Sequence, residues 1–217
     1  MQSLDPAGFA ALTGVSRETL ARLEAYAALL AQWSARINLI GGNTLGDVWR
    51  RHFLDSAQLF PLVPAGAQSL VDLGSGAGFP GLVLAILGVP GVELIESDAR
   101  KCAFLREAAR IAAAPVLIRN ARIEAAPPQF VDVVTARGVA PLDRLIPLSQ
   151  PFIGPGTVCL FPKGEQAGQE LAAAQQAWTM DVTRHDSRTD PRGVILCLRN
   201  VAGLSGAVRR EEPVGRH

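Results

Sequence analysis

The sequence has few of the residues from which many common sites are built. Its three cysteines, Cys102, Cys159 and Cys197, are far apart and form no CxxC pair, which argues against a disulfide framework or a zinc site. Tyr26 is the only tyrosine. The N-terminal residues lack a basic segment followed by an apolar one, and no apolar run is long enough to span a membrane. We therefore expect a soluble, cytoplasmic protein that holds no metal.

The sequence also lacks a large excess of charge of either sign. The formal net charge is +1, so the chain as a whole is not expected to attract nucleic acid, and any such binding needs a local basic patch. Lysine is scarce, with Lys101 and Lys163 as its only instances, and the other basic residues are arginines. Arginine suits phosphate and base recognition. A biased genome composition produces the same excess, so we give it little weight.

Hydrophobic residues, by contrast, make up 48% of the 217 residues, enough for one substantial domain with a two-sided core. We predict a helical extension over residues 1–64 that is fused to a core domain over residues 65–202. Residues 203–217 read as a flexible basic tail.

The extension shows helical and no strand-like periodicity. Ser16 is a predicted N-cap, followed by an apolar stripe at helical spacing that comprises Leu20, Leu23, Ala27, Leu30 and Ile37. Gly41 and Gly42 end that helix, and Thr44 is expected to cap a second helix through residues 49–56.

Strand and helix patterns alternate from residue 69 onward. Strands are predicted at 69–73, 92–96, 115–119, 131–135 and 157–161, helices at 79–87, 98–112, 141–150 and 165–177, and a final antiparallel pair at 180–184 and 194–198. Such alternation predicts an α/β fold with a parallel sheet between two layers of helices, which the terminal hairpin makes mixed.

A glycine-rich turn between the first strand and helix is the feature around which the fold is organised. Residues 70–81 read LVDLGSGAGFPG, and glycines there let the backbone turn sharply and approach a ligand closely. The spacing Gly76-x-Gly78-x-x-Gly81 also satisfies the dinucleotide fingerprint, with Glu96 at about the distance expected of a ribose-binding acid. This pattern indicates a nucleoside-containing cofactor, but it fits NAD as well as other nucleosides.

Ligands of open α/β sheets lie beyond the carboxyl ends of the strands. The predicted strand ends bring Asp72, Glu96, residues 120–124 and Arg137 to one rim of the sheet. We therefore expect these residues to line a common site.

Five motifs resemble one known family. In chain order they are LLAQWSARINLI (29–40), RHFLDS (51–56), DLGSGAGFPG (72–81), ARGVAPL (136–142) and FPKG (161–164). Together they resemble the bacterial small-subunit ribosomal RNA methyltransferase G family, also called glucose-inhibited division protein B, over residues of roughly 20 to 165. The resemblance implies a Rossmann-like class I methyltransferase with a mixed seven-stranded sheet. It also implies methyl transfer from S-adenosyl-L-methionine to N7 of a guanine in small-subunit (16S) ribosomal RNA, and it selects this cofactor over NAD.

The glycine turn and the resemblance together assign the cofactor site to Asp72, Gly74, Ser75, Gly76, Gly78, Phe79, Glu96, Ile123, Glu124 and Arg137. Glu96 stands where the family often has aspartate, and the longer acid should still reach the ribose hydroxyls. Asp72 is expected to orient the methionine amino group, with capping of the turn's N–H groups as the alternative.

Arg137 is the candidate catalytic residue. Guanine N7 carries a lone pair and no proton, so the implied reaction is an in-line displacement that requires no general base and no covalent nucleophile. A bidentate arginine contact to O6 and N7 would occupy that lone pair. We therefore expect Arg137 to bind either the cofactor's carboxylate or guanine O6, the alternative being a structural ion pair with a core-edge acid such as Asp132 or Asp143.

Four basic residues are candidates for contact with RNA: Arg50, Arg51, His52 and Lys163. The alternatives are a helix face in which His52 and Asp55 are hydrogen-bonded locally, and a solvated Lys163. The partner implied is small-subunit ribosomal RNA or the small ribosomal subunit, and we expect a monomer.

Two other functions compete with methyl transfer. An NAD(P)-dependent oxidoreductase fits the glycine fingerprint, but Tyr26 lies in the first long helix, so no Tyr-x-x-x-Lys pair exists. A non-catalytic RNA-binding module that assists ribosome assembly is the second, and the near-neutral charge makes purely electrostatic binding poor.

Overall fold

The strands form one mixed sheet at the centre of the protein. The computed structural model describes residues 3–204. Over this range the sheet has seven strands in the order β3–β2–β1–β4–β5–β7–β6. They are β1 Leu70–Leu73, β2 Val92–Glu96, β3 Val116–Asn120, β4 Val131–Ala136, β5 Ile153–Lys163, β6 Trp178–Asp186 and β7 Val194–Gly203. Strands β1 to β5 are parallel, and β7 runs antiparallel to β5 and β6, so the predicted mixed α/β sheet is confirmed.

Each predicted helix of the core is present with shifted ends. The helices are α1 Pro6–Thr13, α2 Arg17–Ser34, α3 Asp55–Ala57, α4 Gly81–Ile86, α5 Ala99–Ile111, α6 Leu142–Ser149 and α7 Ala167–Ala174. The Ser16 hydroxyl caps α2 as predicted, since its Oγ accepts a hydrogen bond from the Thr19 N–H at 3.1 Å. The sequence reading missed α1, where the Asp5 side chain accepts from the Gly8 N–H at 2.7 Å and a proline occupies the first turn.

The segment that contains RHFLDS is not the predicted single helix. It consists of a 3₁₀ helix, Gly42–Asp47, a π-helix, Trp49–Leu54, and the short α3. The prediction that Thr44 caps a helix is wrong, because its hydroxyl donates instead to the Gly41 carbonyl at 2.7 Å. Single π-helical turns are often found at functional sites.

Successive residues of the buried strands face two hydrophobic clusters, as strand geometry requires. Leu70 and Val133 belong to a cluster with α2, α4 and α5, while Val71 and Val134 belong to one with α6 and α7. The sheet therefore lies between two helical layers. Cys159 and Cys197 are buried on these strands, in agreement with their prediction as core residues.

The helical N-terminal segment shares its core with the rest of the protein. Phe9, Tyr26 and Phe53 are fully buried in the same cluster as residues of α4 and α5. The Arg22 side chain adds hydrogen bonds to the carbonyls of Ala112 at 2.6 Å and Ala113 at 2.9 Å. The N-terminal helices therefore pack into the same hydrophobic cluster as the helices of the core.

The predicted end of the core needs one adjustment. Strand β7 continues through Gly203, so the tail predicted for residues 203–217 begins within a strand, and its residues from 205 onward lie outside the described range. None of the helices between residues 3 and 204 is both long and apolar enough to cross a membrane.

Candidate active site

A cavity of about 280 Å³ lies at the carboxyl ends of β1, β2 and β3. Four of the predicted cofactor residues line it: Gly74, Glu96, Ile123 and Glu124. Ala121 and Arg122, which belong to the predicted stretch 120–124, and Ser97, which follows Glu96, also line it. The lining residues that the sequence analysis did not indicate are Ile95, Gly138, Val139 and Leu148. The predicted meeting of strand ends at one site therefore exists, although Arg137 does not line this cavity.

Gly74 forms the wall of the cavity at the end of β1. Its φ of +64° favours glycine, and a Cβ built there would lie 2.7 Å from Cγ2 of Val139. The backbone can therefore pass close to Val139 only because this position has no side chain.

Glu96 projects toward the cavity at the end of β2, and its orientation is fixed by two backbone groups. Its Oε2 accepts from the Gly76 N–H at 2.9 Å and its Oε1 accepts from the Asp98 N–H at 2.8 Å. A carboxylate offers about four lone-pair positions, so each oxygen retains acceptor capacity. The residue is only 7% exposed and is suited to bind a pair of neighbouring hydroxyl groups.

Asp72 does not reach the cavity. It is fully buried, and its Oδ1 accepts from the Thr135 hydroxyl at 2.8 Å while Oδ2 accepts from the Gly81 N–H at 3.3 Å. Burial raises the pKa of this carboxyl group to about 6, against the lowering effect of its hydrogen bonds. The arrangement matches the alternative prediction, in which Asp72 caps the turn.

Three further residues of the turn lie outside the cavity lining: Ser75, Gly76 and Gly78. The Ser75 hydroxyl donates to the Asp72 carbonyl at 2.9 Å, and Gly76 acts through its N–H on Glu96. At Gly78 a Cβ would lie 2.8 Å from the Tyr26 hydroxyl, so this glycine makes room for a side chain of α2. These positions shape the turn from behind the cavity.

Phe79 is also placed differently from its prediction as a cofactor contact. It is 3% exposed and stacks on Tyr26, with ring centroids 5.4 Å apart and an interplanar angle of 23°. The Tyr26 hydroxyl donates to the carbonyl of Ala77, and burial raises the pKa of Tyr26 well above its ordinary value. The aromatic contacts thus hold the glycine turn against α2.

A larger cleft of about 750 Å³ adjoins the cavity, and Gly138 and Val139 line both. Its walls include Arg51, Asp55 and Arg137, residues 162–164 at the end of β5, and residues 189–195 from the β6–β7 turn and the start of β7. The cavity and the cleft are thus separated by the short loop that follows β4.

Arg137 belongs to this cleft, where three groups of the N-terminal segment hold its guanidinium. Nη1 donates to Asp55 Oδ2 at 3.0 Å and to the Arg51 carbonyl at 3.1 Å, and Nη2 lies 2.9 Å from His52 Nδ1. The guanidinium carbon is 5.2 Å from the centre of the Phe79 ring.

The predicted alternative for Arg137, an ion pair with a core-edge acid, is present, but the acid is Asp55 and neither of the two examples named, Asp132 and Asp143. Asp132 instead accepts from the backbone N–H groups of Gln68 at 2.8 Å and Ser69 at 3.0 Å. The acid that pairs with Arg137 lies on a different element, 82 residues away in the sequence.

His52 is not suited to the predicted phosphate contact. It is 8% exposed, and burial, followed by the positive charges of Arg137 and Arg51, lowers its pKa to about 3. The neutral ring accepts from Arg137 at Nδ1, which places its proton on Nε2, 2.8 Å from the Thr44 hydroxyl oxygen. The ring orients Arg137 and carries no charge at neutral pH.

The other three predicted RNA contacts differ in their surroundings. Arg51 is exposed and lines the cleft, whereas Arg50 is half-buried and lies outside the linings of both the cleft and the cavity. Lys163 lines the cleft, but its Nζ lies 2.8 Å from Glu170 Oε2 and 2.7 Å from the Ala140 carbonyl oxygen. Lys163 is therefore paired with Glu170 and is not the solvated lysine of the predicted alternative. A phosphate would have to compete with Glu170 for contact with it.

Asp55 connects two walls of the cleft, a role that the sequence analysis did not predict. Its Oδ1 accepts from the Thr189 hydroxyl at 2.6 Å and from Gln58 Nε2 at 3.0 Å, while Oδ2 binds Arg137. The RHFLDS motif marked the residue, but no signal in the sequence connects it with the β6–β7 turn. Among residues 3–204, no three His, Cys, Asp or Glu side chains are grouped so that they could hold a metal ion.

The sequence is similar to one family of known proteins over most of its length. Residues 19–191 match the family described as rRNA small subunit methyltransferase G (GidB). The chain is 57% identical over 190 residues to the ribosomal RNA small subunit methyltransferase G of Paramagnetospirillum magneticum, which covers 88% of this chain and 93% of that protein. It is 58% identical over 194 residues to the protein of the same name from Rhodospirillum centenum, covering 89% and 90%.

Solved structures show the same fold at low sequence identity. The ribosomal protein L11 methylase of Lactobacillus delbrueckii subsp. bulgaricus has a TM-score of 0.55 and 17% identity, with 66% of this chain and 75% of that chain covered. A TehB-like SAM-dependent methyltransferase from Corynebacterium glutamicum has a TM-score of 0.53 and 15% identity, covering 82% and 97%. These likenesses confirm the class I methyltransferase fold.

Proposed function

The chain belongs to the rRNA small subunit methyltransferase G family, and we propose that it transfers a methyl group from S-adenosyl-L-methionine to N7 of a guanine in small-subunit ribosomal RNA. The observation that supports this most directly is the pair of adjoining sites. A cavity with a buried carboxylate and a larger, open cleft share the wall formed by Gly138 and Val139. A donor in the cavity and an acceptor base in the cleft would meet at this wall.

The residues of the cavity fit the proposed cofactor. Glu96 keeps lone-pair positions for the two ribose hydroxyls, and Ile95, Ile123 and Leu148 supply apolar surface for an adenine ring. S-adenosyl-L-methionine, when bound, supplies a methyl group that is activated by a positively charged sulfur. We assign Gly74 and Glu96 as its contacts, together with Ile123 and Glu124, which line the cavity after β3.

The chemistry asks for orientation more than for proton transfer. Guanine N7 has a lone pair and no proton, so the protein needs no general base at that atom. Orientation of two reactants can lower a barrier by roughly 7–11 kcal/mol. The ionisable groups of the cleft agree with this role, because Asp55 and Lys163 are held in ion pairs and neighbouring His52 is neutral at pH 7.

We assign Arg137 to the cleft, as the residue that orients the base. A guanidinium has five N–H donors, and its contacts with Asp55, Arg51 and His52 use three of them. The remaining donors suffice for a contact to guanine O6 that leaves N7 open. The predicted contact of Arg137 with the cofactor's carboxylate has less support, because the arginine lies outside the cavity lining.

A methyl-transfer assay tests this proposal. Purified protein is incubated with labelled S-adenosyl-L-methionine and small ribosomal subunits from cells without the protein, and the methylated base is identified by mass mapping. We expect one 7-methylguanine per subunit. A methyl group on another atom or another RNA would refute the assignment, and the absence of transfer would favour the assembly-factor alternative. Titration with S-adenosylhomocysteine and with NADH tests the oxidoreductase alternative, which requires tight binding of NADH.

A further inference from the structure

A second concave surface lies between the end of α2 and the first half of α5. This groove has a volume of about 610 Å³ and shares no lining residue with the cavity or the cleft. Its lining consists of Gln32, Trp33, Arg36, Ile37, Arg100 and Ala103, with Ala35 beside them. The methyl-transfer chemistry proposed above makes no use of it.

The groove combines an aromatic, apolar lining with a basic rim. Trp33 is fixed by its edge-on contact with the Phe104 ring, at a centroid distance of 5.7 Å, and Ile37 and Ala103 extend the apolar surface. Arg36 and Arg100 are exposed at the rim. A groove lined by an aromatic ring and two arginines is suited to a nucleotide, whose base stacks on apolar surface while its phosphates attract cations.

The charge around the groove is positive although the chain as a whole is close to neutral. Within residues 3–204, no acidic side chain pairs with Arg36. Arg100 is 74% exposed, and its one acidic neighbour, Asp98, lies 3.4 Å away. Lys101 follows it directly in the sequence. The groove is thus the kind of local basic patch that RNA binding requires of a chain with a net charge of +1.

The groove is connected to the cavity through the turn between β2 and α5. Ser97 lines the cavity, and Arg100, three residues further along, lines the groove. The cavity in turn adjoins the cleft at Gly138 and Val139. Residues of one short turn thus line both the proposed cofactor cavity and the groove.

We propose that the groove between α2 and α5 binds a nucleotide of the substrate RNA that lies outside the reaction centre, with its base against Trp33 and its phosphates at Arg36 and Arg100. This inference rests on the proposed function for the identity of the RNA. A ribosomal protein segment is the competing occupant, and the positive rim favours the polyanion.

The test compares two double variants that are matched in charge. Arg36→Ala with Arg100→Ala removes the rim. Arg17→Ala with Arg110→Ala removes one arginine from the opposite end of each of the same two helices. Each double variant includes one arginine of an exposed local ion pair, Arg100 with Asp98 or Arg110 with Glu107. Both keep the cavity and the cleft intact.

We expect the rim variant to raise KM for the small subunit roughly tenfold, with kcat and the affinity for S-adenosylhomocysteine unchanged. The slope of log affinity against log salt should fall by about 1.4, since each lost contact to single-stranded RNA contributes about 0.7. The control variant should match the wild type. Equal behaviour of the two variants would refute the proposal.

Stacking is tested separately at Trp33. Trp33→Leu should weaken binding of a labelled ribosomal RNA fragment at least about fivefold without changing the salt slope, whereas Trp33→Phe should retain most of the affinity. Equal losses in the two variants would contradict a stacked base.

Direct RNA binding also separates this inference from the proposed function. If the wild type transfers no methyl group but the rim variant still binds the RNA fragment more weakly than the control does, the proposed function fails and the groove assignment stands. If methyl transfer occurs and the rim substitutions have no effect on RNA binding, the proposed function stands and the groove assignment fails. If the rim variant loses affinity for intact subunits and not for naked RNA, a protein segment occupies the groove and the inference is wrong.

Discussion

Removal of the Asp55 carboxylate is the most informative single perturbation of the proposed site. Asp55 binds Arg137 with one oxygen and Thr189 with the other, so it joins the N-terminal segment, the end of β4 and the β6–β7 turn. We expect Asp55→Ala to destabilise the protein and to release Arg137 from its present orientation. Most of this destabilisation would come from the Arg137 guanidinium, which would be left without its carboxylate partner in a partly buried position.

The magnitude follows from the exposure of the pair. Loss of one partner from a buried pair costs about 3–5 kcal/mol, and exposed pairs contribute about 0–1 kcal/mol. The Arg137 and Asp55 side chains are 21% and 17% exposed, an intermediate case for which we expect about 2–3 kcal/mol. For a domain of this size, that corresponds to a decrease in Tm of roughly 4–12 °C.

The assay is thermal unfolding, with Glu107→Ala as the control. Glu107 pairs with Arg110 at 2.7 Å on the surface, where the side chains are 37% and 70% exposed and solvent screens the pair, so its loss should leave the melting temperature almost unchanged. A cycle of Asp55→Ala and Arg137→Ala should yield a coupling free energy of about 1–3 kcal/mol. If Asp55→Ala melts at the temperature of the control, or if the two substitutions are additive, the ion pair does not hold the cleft together.

Three further predictions concern the turn and its surroundings. Gly74→Ala should weaken S-adenosylhomocysteine binding in calorimetry, because the new Cβ would overlap Val139. Gly66→Ala is the control, since Gly66 also has a positive φ, +85°, but open space around it, and it should cost only about 1–2 kcal/mol of stability. Tyr26→Phe leaves a buried carbonyl without its donor and should lower the free energy of unfolding by about 1–3 kcal/mol in urea titrations; no change would show that the carbonyl finds another donor. Because the pKa of His52 is lowered to about 3, the folded protein loses stability through this group as pH falls below 6.5. Because the pKa of Asp72 is raised to about 6, the folded protein gains stability through this group as pH falls from about 6 to 3.8. Asp72→Asn should therefore make the acid loss of stability steeper in this window, by up to about 1.4 kcal/mol per pH unit, and an unchanged slope would contradict the opposed titrations.

The parts of the fold that follow from local pattern could be predicted from the sequence. Strand β2 has the predicted bounds, 92–96, and the Ser16 cap and the terminal hairpin are present, because periodicity and capping depend on neighbouring residues. Glu96 could be placed in the cavity for the same reason, since it ends a strand. By contrast, the π-helix could not be predicted, and the predicted cap by Thr44 is wrong, because the packing of residues 44–57 against the core overrides local propensity.

The contacts of Arg137 could not be predicted because they join distant parts of the chain. Asp55 is 82 residues away in sequence, and it comes within 3.0 Å only because the N-terminal segment packs beside α4 and the glycine turn. Acids near Arg137 in sequence, such as Asp132 and Asp143, are not its partners. Sequence proximity is therefore a poor guide to ion pairs at strand ends, where separate elements converge.

The glycine fingerprint shows why the cofactor could not be read from spacing alone. Of its three glycines, Gly78 makes room for the Tyr26 hydroxyl, and at Gly81 a Cβ would lie 2.6 Å from the Cβ of Asp72 and 2.5 Å from Leu94. Neither of these glycines lines the cavity. Two thirds of the fingerprint therefore reports how a helix packs against a strand and against α2, which any strand–turn–helix unit of this geometry requires whatever nucleoside it binds. The proposed cofactor contacts lie instead in the cavity wall, at Gly74 and Glu96 and in the residues after β3, so we expect a change of cofactor to require substitutions at those positions.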